Sequence, residues 1–65
     1  MKLSNKETSV LTFKHIDTWY KITYKNNDIS IYYLYRVLSN NDFEPLGTGN
    51  SPKKLEDKVY AGKYS

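Results

Sequence analysis

Apolar and polar residues alternate with a period of two in the middle of the chain, and this alternation predicts β-strands. Residues 18 to 25 read TWYKITYK, so Tyr20, Ile22 and Tyr24 share one face. The opposite face carries Trp19 together with polar residues. β-Branched and aromatic residues at this spacing are typical of a strand with one buried face.

A second strand is predicted over residues 29 to 38, ISIYYLYRVL. Asn26 and Asn27 precede it, and asparagine tolerates the left-handed backbone that a tight hairpin turn requires. We therefore expect a hairpin. Both faces of the second strand carry bulky apolar side chains, which indicates that both faces are covered. One helix covers only one face, so another element is expected to cover the other.

A short third strand and a loop are predicted after the hairpin. Residues 42 to 46, DFEPL, are long enough for a strand. Pro45 favours the edge of the sheet, because proline cannot donate a ladder hydrogen bond. Residues 47 to 50, GTGN, are expected to form a loop.

A helix is predicted after this loop. Ser51 offers a hydroxyl for the N-cap, and Pro52 suits the first helical position. The helix is expected to run to about Ala61, because Gly62 favours a helix end.

The N-terminal segment fits two structures. Residues 10 to 16, VLTFKHI, alternate enough for a strand, but Thr8 or Ser9 could equally cap a short helix. Residues 1 to 9 show no period and are expected to form a frayed arm. The predicted fold is one small α+β domain over residues 1 to 65. It comprises a three-stranded antiparallel sheet with one C-terminal helix (β-β-β-α) and an optional extra N-terminal strand or short helix.

The length of the chain suggests that it needs a partner. A chain of 65 residues buries only about 60% of its extended-chain surface, and small domains usually rely on disulfides, metals or a second subunit. The chain has no cysteine, and His15 is its single histidine, so neither a disulfide nor a metal site is expected. A symmetric homodimer is expected, in which the second copy covers the remaining apolar face of residues 29 to 38.

Neither a membrane span nor a secretion signal is predicted. The longest mainly apolar run, residues 29 to 38, is far shorter than the ~20 residues that a spanning helix needs. Residues 1 to 10 lack the apolar core of a signal peptide. We expect a soluble, cytoplasmic protein.

The charge is unevenly distributed along the chain. The net charge is +3, and a basic protein with aromatic strands is compatible with nucleic-acid binding. Residues 26 to 50, where the aromatic residues concentrate, hold one cation and three carboxylates, which does not favour nucleic acid as the partner. The alternative function is a small nucleic-acid-binding module that uses lysine-bearing strands, with contacts from Lys14, Lys21, Lys25 and Trp19.

Catalytic patterns are missing from the sequence. No nucleophile lies in a recognisable setting with a base, and the GTG of residues 47 to 49 lacks the Lys-Ser/Thr of a phosphate-binding loop. His15, between Lys14 and Ile16, is interpreted as a surface or packed histidine rather than a general base. We therefore expect a protein that is not an enzyme and has no catalytic residue, metal or cofactor.

One aromatic residue lies between two carboxylates in the triplet Asp42-Phe43-Glu44. In a strand, Phe43 could face the core while both acids face solvent, since their side chains alternate with it. The triplet could instead form a contact surface, in which an aromatic anchor is rimmed by carboxylates and faces a basic partner. Both descriptions hold if Phe43 lines a cavity between subunits.

Residues 31 to 59, IYYLYRVLSNNDFEPLGTGNSPKKLEDKV, resemble the small uracil-DNA glycosylase inhibitors of short-tailed, protein-primed Bacillus phages. Those inhibitors similarly have a strand with paired tyrosines, a Leu-Ser loop, an Asp-Phe-Glu triplet, a Gly-Asn-Thr turn and a C-terminal helix. The matching positions here are Tyr32, Tyr33, Tyr35, Leu38, Ser39, Asp42, Phe43, Glu44, Leu46, Gly49, Asn50 and Ser51.

The resemblance implies a homodimer that acts inside the host bacterium as a protein mimic of DNA. Such a dimer occupies the DNA-binding cleft of the host uracil-DNA glycosylase, with carboxylates in place of phosphates. An apolar cavity takes the leucine that the enzyme pushes into the base stack. The implied partner-binding residues are Phe43 in the cavity, Glu44 as the principal mimic with Asp42 in support, and Tyr33 or Tyr35 completing the cavity.

Overall fold

The computed structural model describes residues 7 to 64, which form one four-stranded antiparallel sheet and one helix. Each strand pairs with its neighbours in sequence, so the strand order is that of the chain. The predicted α+β class with a C-terminal helix is confirmed, but the sheet has four strands rather than three. The elements are β1 (Glu7–His15), β2 (Thr18–Lys25), β3 (Asp28–Val37), β4 (Phe43–Gly49) and α1 (Pro52–Tyr60).

The extra strand is β1, so the strand alternative for residues 10 to 16 is correct and the short helix is wrong. Phe13 of β1 pairs with Tyr20 of β2, and the two rings stack with centroids 5.4 Å apart. Both side chains are buried, and this burial favours a strand over an isolated helical turn. Of the predicted N-terminal arm, residues 7 to 9 belong to β1, and residues 1 to 6 lie outside the described part of the chain.

The core lies between the sheet and α1 as a two-layer structure. Ile22 of β2 and Leu34 of β3 are fully buried at its centre, and Leu55 and Val59 of α1 cover them. Leu55 and Val59 are four residues apart, which places them on one side of the helix. Other apolar residues pack around this core, namely Phe13, Tyr20, Leu11, Tyr32, Leu46 and Tyr64.

The helix has nearly the predicted bounds. Ser51 is the N-cap in an extended conformation (φ −150°) with Pro52 at the start, although the Ser51 side chain makes no capping hydrogen bond. Gly62 has a left-handed backbone (φ 82°), and its N–H donates to the Val59 carbonyl at 3.0 Å. Glycine suits this position because it has no Cβ to clash.

The loop predicted over residues 47 to 50 is wrong for its first three residues. Gly47 and Gly49 belong to β4 and pair with Leu34 and Tyr32 of β3. A Cβ at Gly47 would lie 2.9 Å from the Tyr64 hydroxyl oxygen, and a Cβ at Gly49 would lie 3.4 Å from the Leu55 side chain. The glycines therefore serve close packing of the C-terminal segment on the sheet, and β4 is longer than predicted.

Two of the three hairpin turns differ in backbone conformation from what their sequences suggest. Asn26 and Asn27 connect β2 to β3, as predicted, but neither has the positive φ on which that prediction relied. Ile16 and Asp17 connect β1 to β2, and both have positive φ angles, 48° and 61°. Positive φ is unfavourable for a β-branched residue, so the sequence gives no turn signal here.

The described residues include no helix that is long and apolar enough to cross a membrane.

Candidate functional site on the open face of the sheet

One face of the sheet packs against α1, and the described residues do not cover the other face, which we call the open face. The strand register aligns its side chains in three rows across the sheet. The rows are Lys14–Trp19–Val37–Phe43, Thr12–Lys21–Tyr35–Pro45 and Ser9–Thr23–Tyr33–Thr48.

Three of the five predicted site residues meet on the open face. The Phe43 ring contacts the Tyr35 ring edge-on, with centroids 6.2 Å apart, and Tyr33 lies two residues before Tyr35 on the same face. Phe43 is half-buried and lies outside the hydrophobic core. Its side chain therefore points away from the helix, towards the surface that a partner could reach.

Of the two acids of the triplet, Asp42 lies immediately before β4 and Glu44 is the second residue of β4. Glu44 alternates to the helix side, where its carboxylate pairs with Arg36 of β3 at 3.2 Å. The Asp42 carboxylate accepts the Phe43 N–H at 2.9 Å, which fixes the entry of the chain into β4. The acids thus flank Phe43 along the edge strand, and Glu44 points to the opposite face from the aromatic ring.

A recess of about 270 Å³ opens between β3 and β4. Tyr33 and Tyr35 line it from β3, and Pro45 and Thr48 line it from β4. It lies at a register shift between Leu34 and Tyr35, where β4 has one residue more than β3. Such a bulge spreads the ladder locally. Both tyrosines that the resemblance implied for the cavity line this recess, whereas Phe43 lies against the far side of Tyr35.

A partly buried hydrogen-bond network fixes one wall of the recess. The Glu7 carboxylate accepts hydrogen bonds from the Thr23 hydroxyl at 2.8 Å and from the Tyr35 hydroxyl at 3.1 Å. Burial raises the pKa of Tyr35 above its usual value, and the Glu7 carboxylate raises this pKa further. Tyr35 is therefore neutral and held in place at neutral pH. The sequence carries no signal for this network, because Glu7 and Tyr35 are 28 residues apart.

Two lysines of β2 lie over aromatic rings of the open face. The Lys21 ammonium is 5.4 Å from the centroid of the Phe43 ring, and the Lys25 ammonium is 5.0 Å from that of Tyr33. Both distances are within the range of a cation–π interaction. Both lysines therefore lie along the face, although Lys25 remains exposed.

The β1–β2 and β3–β4 hairpins differ in charge. The β3–β4 hairpin, residues 28 to 49, holds three carboxylates against one guanidinium. The β1–β2 hairpin, residues 7 to 25, holds three lysines against two carboxylates. The β3–β4 half of the sheet is therefore acidic and contains the recess, and the β1–β2 half is basic and contains Trp19. The charged residues are Asp28, Arg36, Asp42 and Glu44 in the first hairpin, and Glu7, Lys14, Asp17, Lys21 and Lys25 in the second.

No metal site emerges from the part of the chain that the structure describes. It contains no group of three or more His, Cys, Asp or Glu side chains that could hold a metal. The His15 ring packs edge-on against Tyr60 with centroids 4.8 Å apart. A comparison of the chain with models of known protein families, with curated proteins and with solved structures found no match.

Proposed function

We propose that the protein is a phage-encoded inhibitor of the host uracil-DNA glycosylase, which it blocks by occupying the DNA-binding cleft inside the infected bacterium. The protein acts by binding and not by catalysis. The observation that carries this proposal is the β3–β4 hairpin, which joins an apolar recess, aromatic side chains and the carboxylates of Asp42 and Glu44 on one edge of the sheet.

The recess suits an aliphatic side chain of the enzyme. A glycosylase that extracts a base inserts an apolar wedge into the stack. The recess measures about 270 Å³, whereas a cavity of about 150 Å³ is enough for a benzene molecule. Burying a leucine side chain contributes about 1.5 to 3 kcal/mol. A protein that captures this wedge therefore competes with DNA for the same group of the enzyme.

The carboxylates suit a basic cleft. Glu44 is half-exposed and pairs with Arg36 at the surface. Arg36 is 31% exposed and also donates to the Tyr64 carbonyl oxygen at 2.6 Å. Because ion pairs near the surface contribute only about 0 to 1 kcal/mol, Glu44 can exchange Arg36 for a cation of the enzyme. Asp42 lies two residues before Glu44, immediately before β4, and adds a second negative charge where DNA would present phosphates.

We further infer that the inhibitor is a symmetric homodimer. Tyr33, Tyr35 and Val37 are half-buried on the open face of β3, and a domain of 65 residues has limited core to stabilise it. Two copies that meet over the β3–β4 half of this face would extend the recess into a cavity between the subunits, open at one side to the side chain of the enzyme. Light scattering tests this directly: a dimer mass is expected at micromolar concentration, and a monomer mass would contradict it.

A uracil-excision assay tests the inhibition. The protein is titrated against a bacterial uracil-DNA glycosylase acting on a single-stranded uracil oligonucleotide. Stoichiometric inhibition is expected, and the double variant Phe43→Ala, Glu44→Ala is expected to lose it.

Two matched variants separate the recess from the rest of the surface. Thr48 and Thr12 are both exposed threonines on the open face of edge strands, but only Thr48 lines the recess. Thr48→Leu fills the recess and is expected to weaken inhibition at least tenfold, while Thr12→Leu leaves inhibition intact. Full inhibition by Thr48→Leu would rule out capture of a side chain in the recess, and no inhibition by the unmodified protein would refute the proposed function.

A further inference from the structure

We infer that the β1–β2 half of the open face binds single-stranded nucleic acid, with Trp19 as a stacking surface and Lys14, Lys21 and Lys25 as phosphate contacts. This second activity goes beyond the proposed inhibition, and it relies on residues of the other hairpin.

The β1–β2 half of the open face carries three lysines. Lys14, Lys21 and Lys25 are on the open face in β1 and β2, where Glu7 is the one carboxylate among the described strand residues. Asp17, in the adjoining turn, lies 4.0 Å from Lys14 and partly offsets it. Asp28, the first residue of β3, pairs with Lys25 in the ladder. With Glu7 and Asp17 counted against the three lysines, the half-face keeps a net charge of +1, which suits a phosphate backbone.

Trp19 presents an exposed aromatic ring on the same half of the face. Trp19 is 49% exposed although it lies within a strand. It shares a row with Lys14, Val37 and Phe43, so aromatic side chains stand at two points of that row. Bases stack on exposed aromatic side chains with little regard to sequence. Four-stranded sheets with aromatic residues on an open face stack two or three bases of a single strand in this way.

Two of the three lysines lie along the open face. Lys21 and Lys25 lie over the Phe43 and Tyr33 rings, so their ammonium groups are already on the face when a ligand arrives. They are four residues apart, or about 13 Å along the strand. Ammonium groups beside an exposed indole match a backbone with unstacked bases. In a duplex the bases are paired and cannot reach Trp19.

Glu7 limits the affinity of this surface. Its carboxylate lies on the same face and is fixed by Thr23 and Tyr35. Glutamine retains an oxygen that accepts both hydrogen bonds but has no charge. Glu7→Gln is therefore expected to tighten nucleic-acid binding several-fold.

Fluorescence anisotropy with a labelled ten-nucleotide oligothymidylate tests the inference. No glycosylase is present in the assay, so the result does not depend on the proposed inhibition. Binding is expected to weaken with salt, with a slope of log K against log salt close to −2 for about three phosphate contacts at about −0.7 each. Trp19→Ala is expected to weaken binding roughly five- to hundredfold. Lys21→Gln, Lys25→Gln is expected to reduce the slope to about −0.7.

The controls distinguish this activity from inhibition and from self-association. Thr48→Leu, which fills the recess, should bind the oligonucleotide like the unmodified protein, and circular dichroism verifies that each variant is folded. The inference is wrong if the oligonucleotide does not bind, if Trp19→Ala binds it unchanged, or if a duplex of equal length binds as tightly. It is also wrong if Trp19→Ala dissociates a dimer, because a second copy would then occupy this half-face.

Discussion

The turn between β1 and β2 should be a site where one substitution stabilises the protein. Ile16 has φ 48° and is 79% exposed. A left-handed backbone costs an ordinary residue about 1 to 2 kcal/mol, and Asp17, also at positive φ, follows it in a two-residue turn. Turns of this type favour asparagine and glycine. Ile16→Asn should therefore relieve most of the backbone strain.

The expected gain is about 1 kcal/mol. Fully burying an isoleucine contributes about 1.5 to 3 kcal/mol, but Ile16 is 79% exposed, so its replacement loses only about a fifth of that energy. For a domain of this size, 1 kcal/mol raises Tm by about 4 to 8 °C. Thermal unfolding followed by circular dichroism, supported by urea titration with Trp19 fluorescence, measures the change.

Ile29→Asn is the matched control. Ile29 is also an exposed isoleucine, 68% accessible, but it lies in β3 and its φ is not in the left-handed region. This variant should be neutral or destabilising, because asparagine is disfavoured in strands. If Ile16→Asn is no more stable than the unmodified protein, or if both variants gain equally, backbone strain at Ile16 is not the cause.

Two further predictions concern the network and the core. Burial and Glu7 raise the pKa of Tyr35, so the neutral phenol is the form that the fold stabilises; this stability should be complete below pH 10.0 and lost as pH rises through the higher folded-state value. Urea unfolding from pH 8 to 11.5 should show a shallower alkaline loss for Tyr35→Phe than for the unmodified protein, and equal slopes would contradict the assignment. Leu55 is 1% exposed, so Leu55→Ala should cost about 2 to 5 kcal/mol, against a total of about 3 to 10 for a chain of this length. Substantial unfolding at 37 °C is expected, while the exposed helix variant Lys58→Ala should melt within a few degrees of the unmodified protein.

The period-two pattern was enough to predict β2, β3 and the faces of both strands. Tyr20, Ile22 and Trp19 lie on the faces that alternation assigned to them. The helix was also predictable, because Ser51-Pro52 and Gly62 are local signals that depend little on the rest of the fold. These elements follow from interactions between residues close in sequence.

The extent of β4 and the arrangement of the site were not predictable in the same way. Gly47 and Gly49 have the composition of a loop, and their strand role depends on Tyr64 and Leu55, which approach them only in the folded protein. The rows of the open face depend on register shifts in β1 and β4 that alternation does not encode. The contact between Glu7 and Tyr35 likewise arises only from the complete sheet.

The meander topology has a consequence for how the chain reaches its fold. Every strand pairs with the strand next to it in sequence, so each ladder closes a loop of only a few residues. Folding rates rise as contacts become more local, and hairpins form in about 1 to 10 μs. Strand pairing can therefore begin at any of the turns and spread along the adjoining strands. Because α1 contributes Leu55 and Val59 to the core, nascent hairpins expose one apolar face until the helix leaves the ribosome. That interval is when the chain is most prone to aggregate.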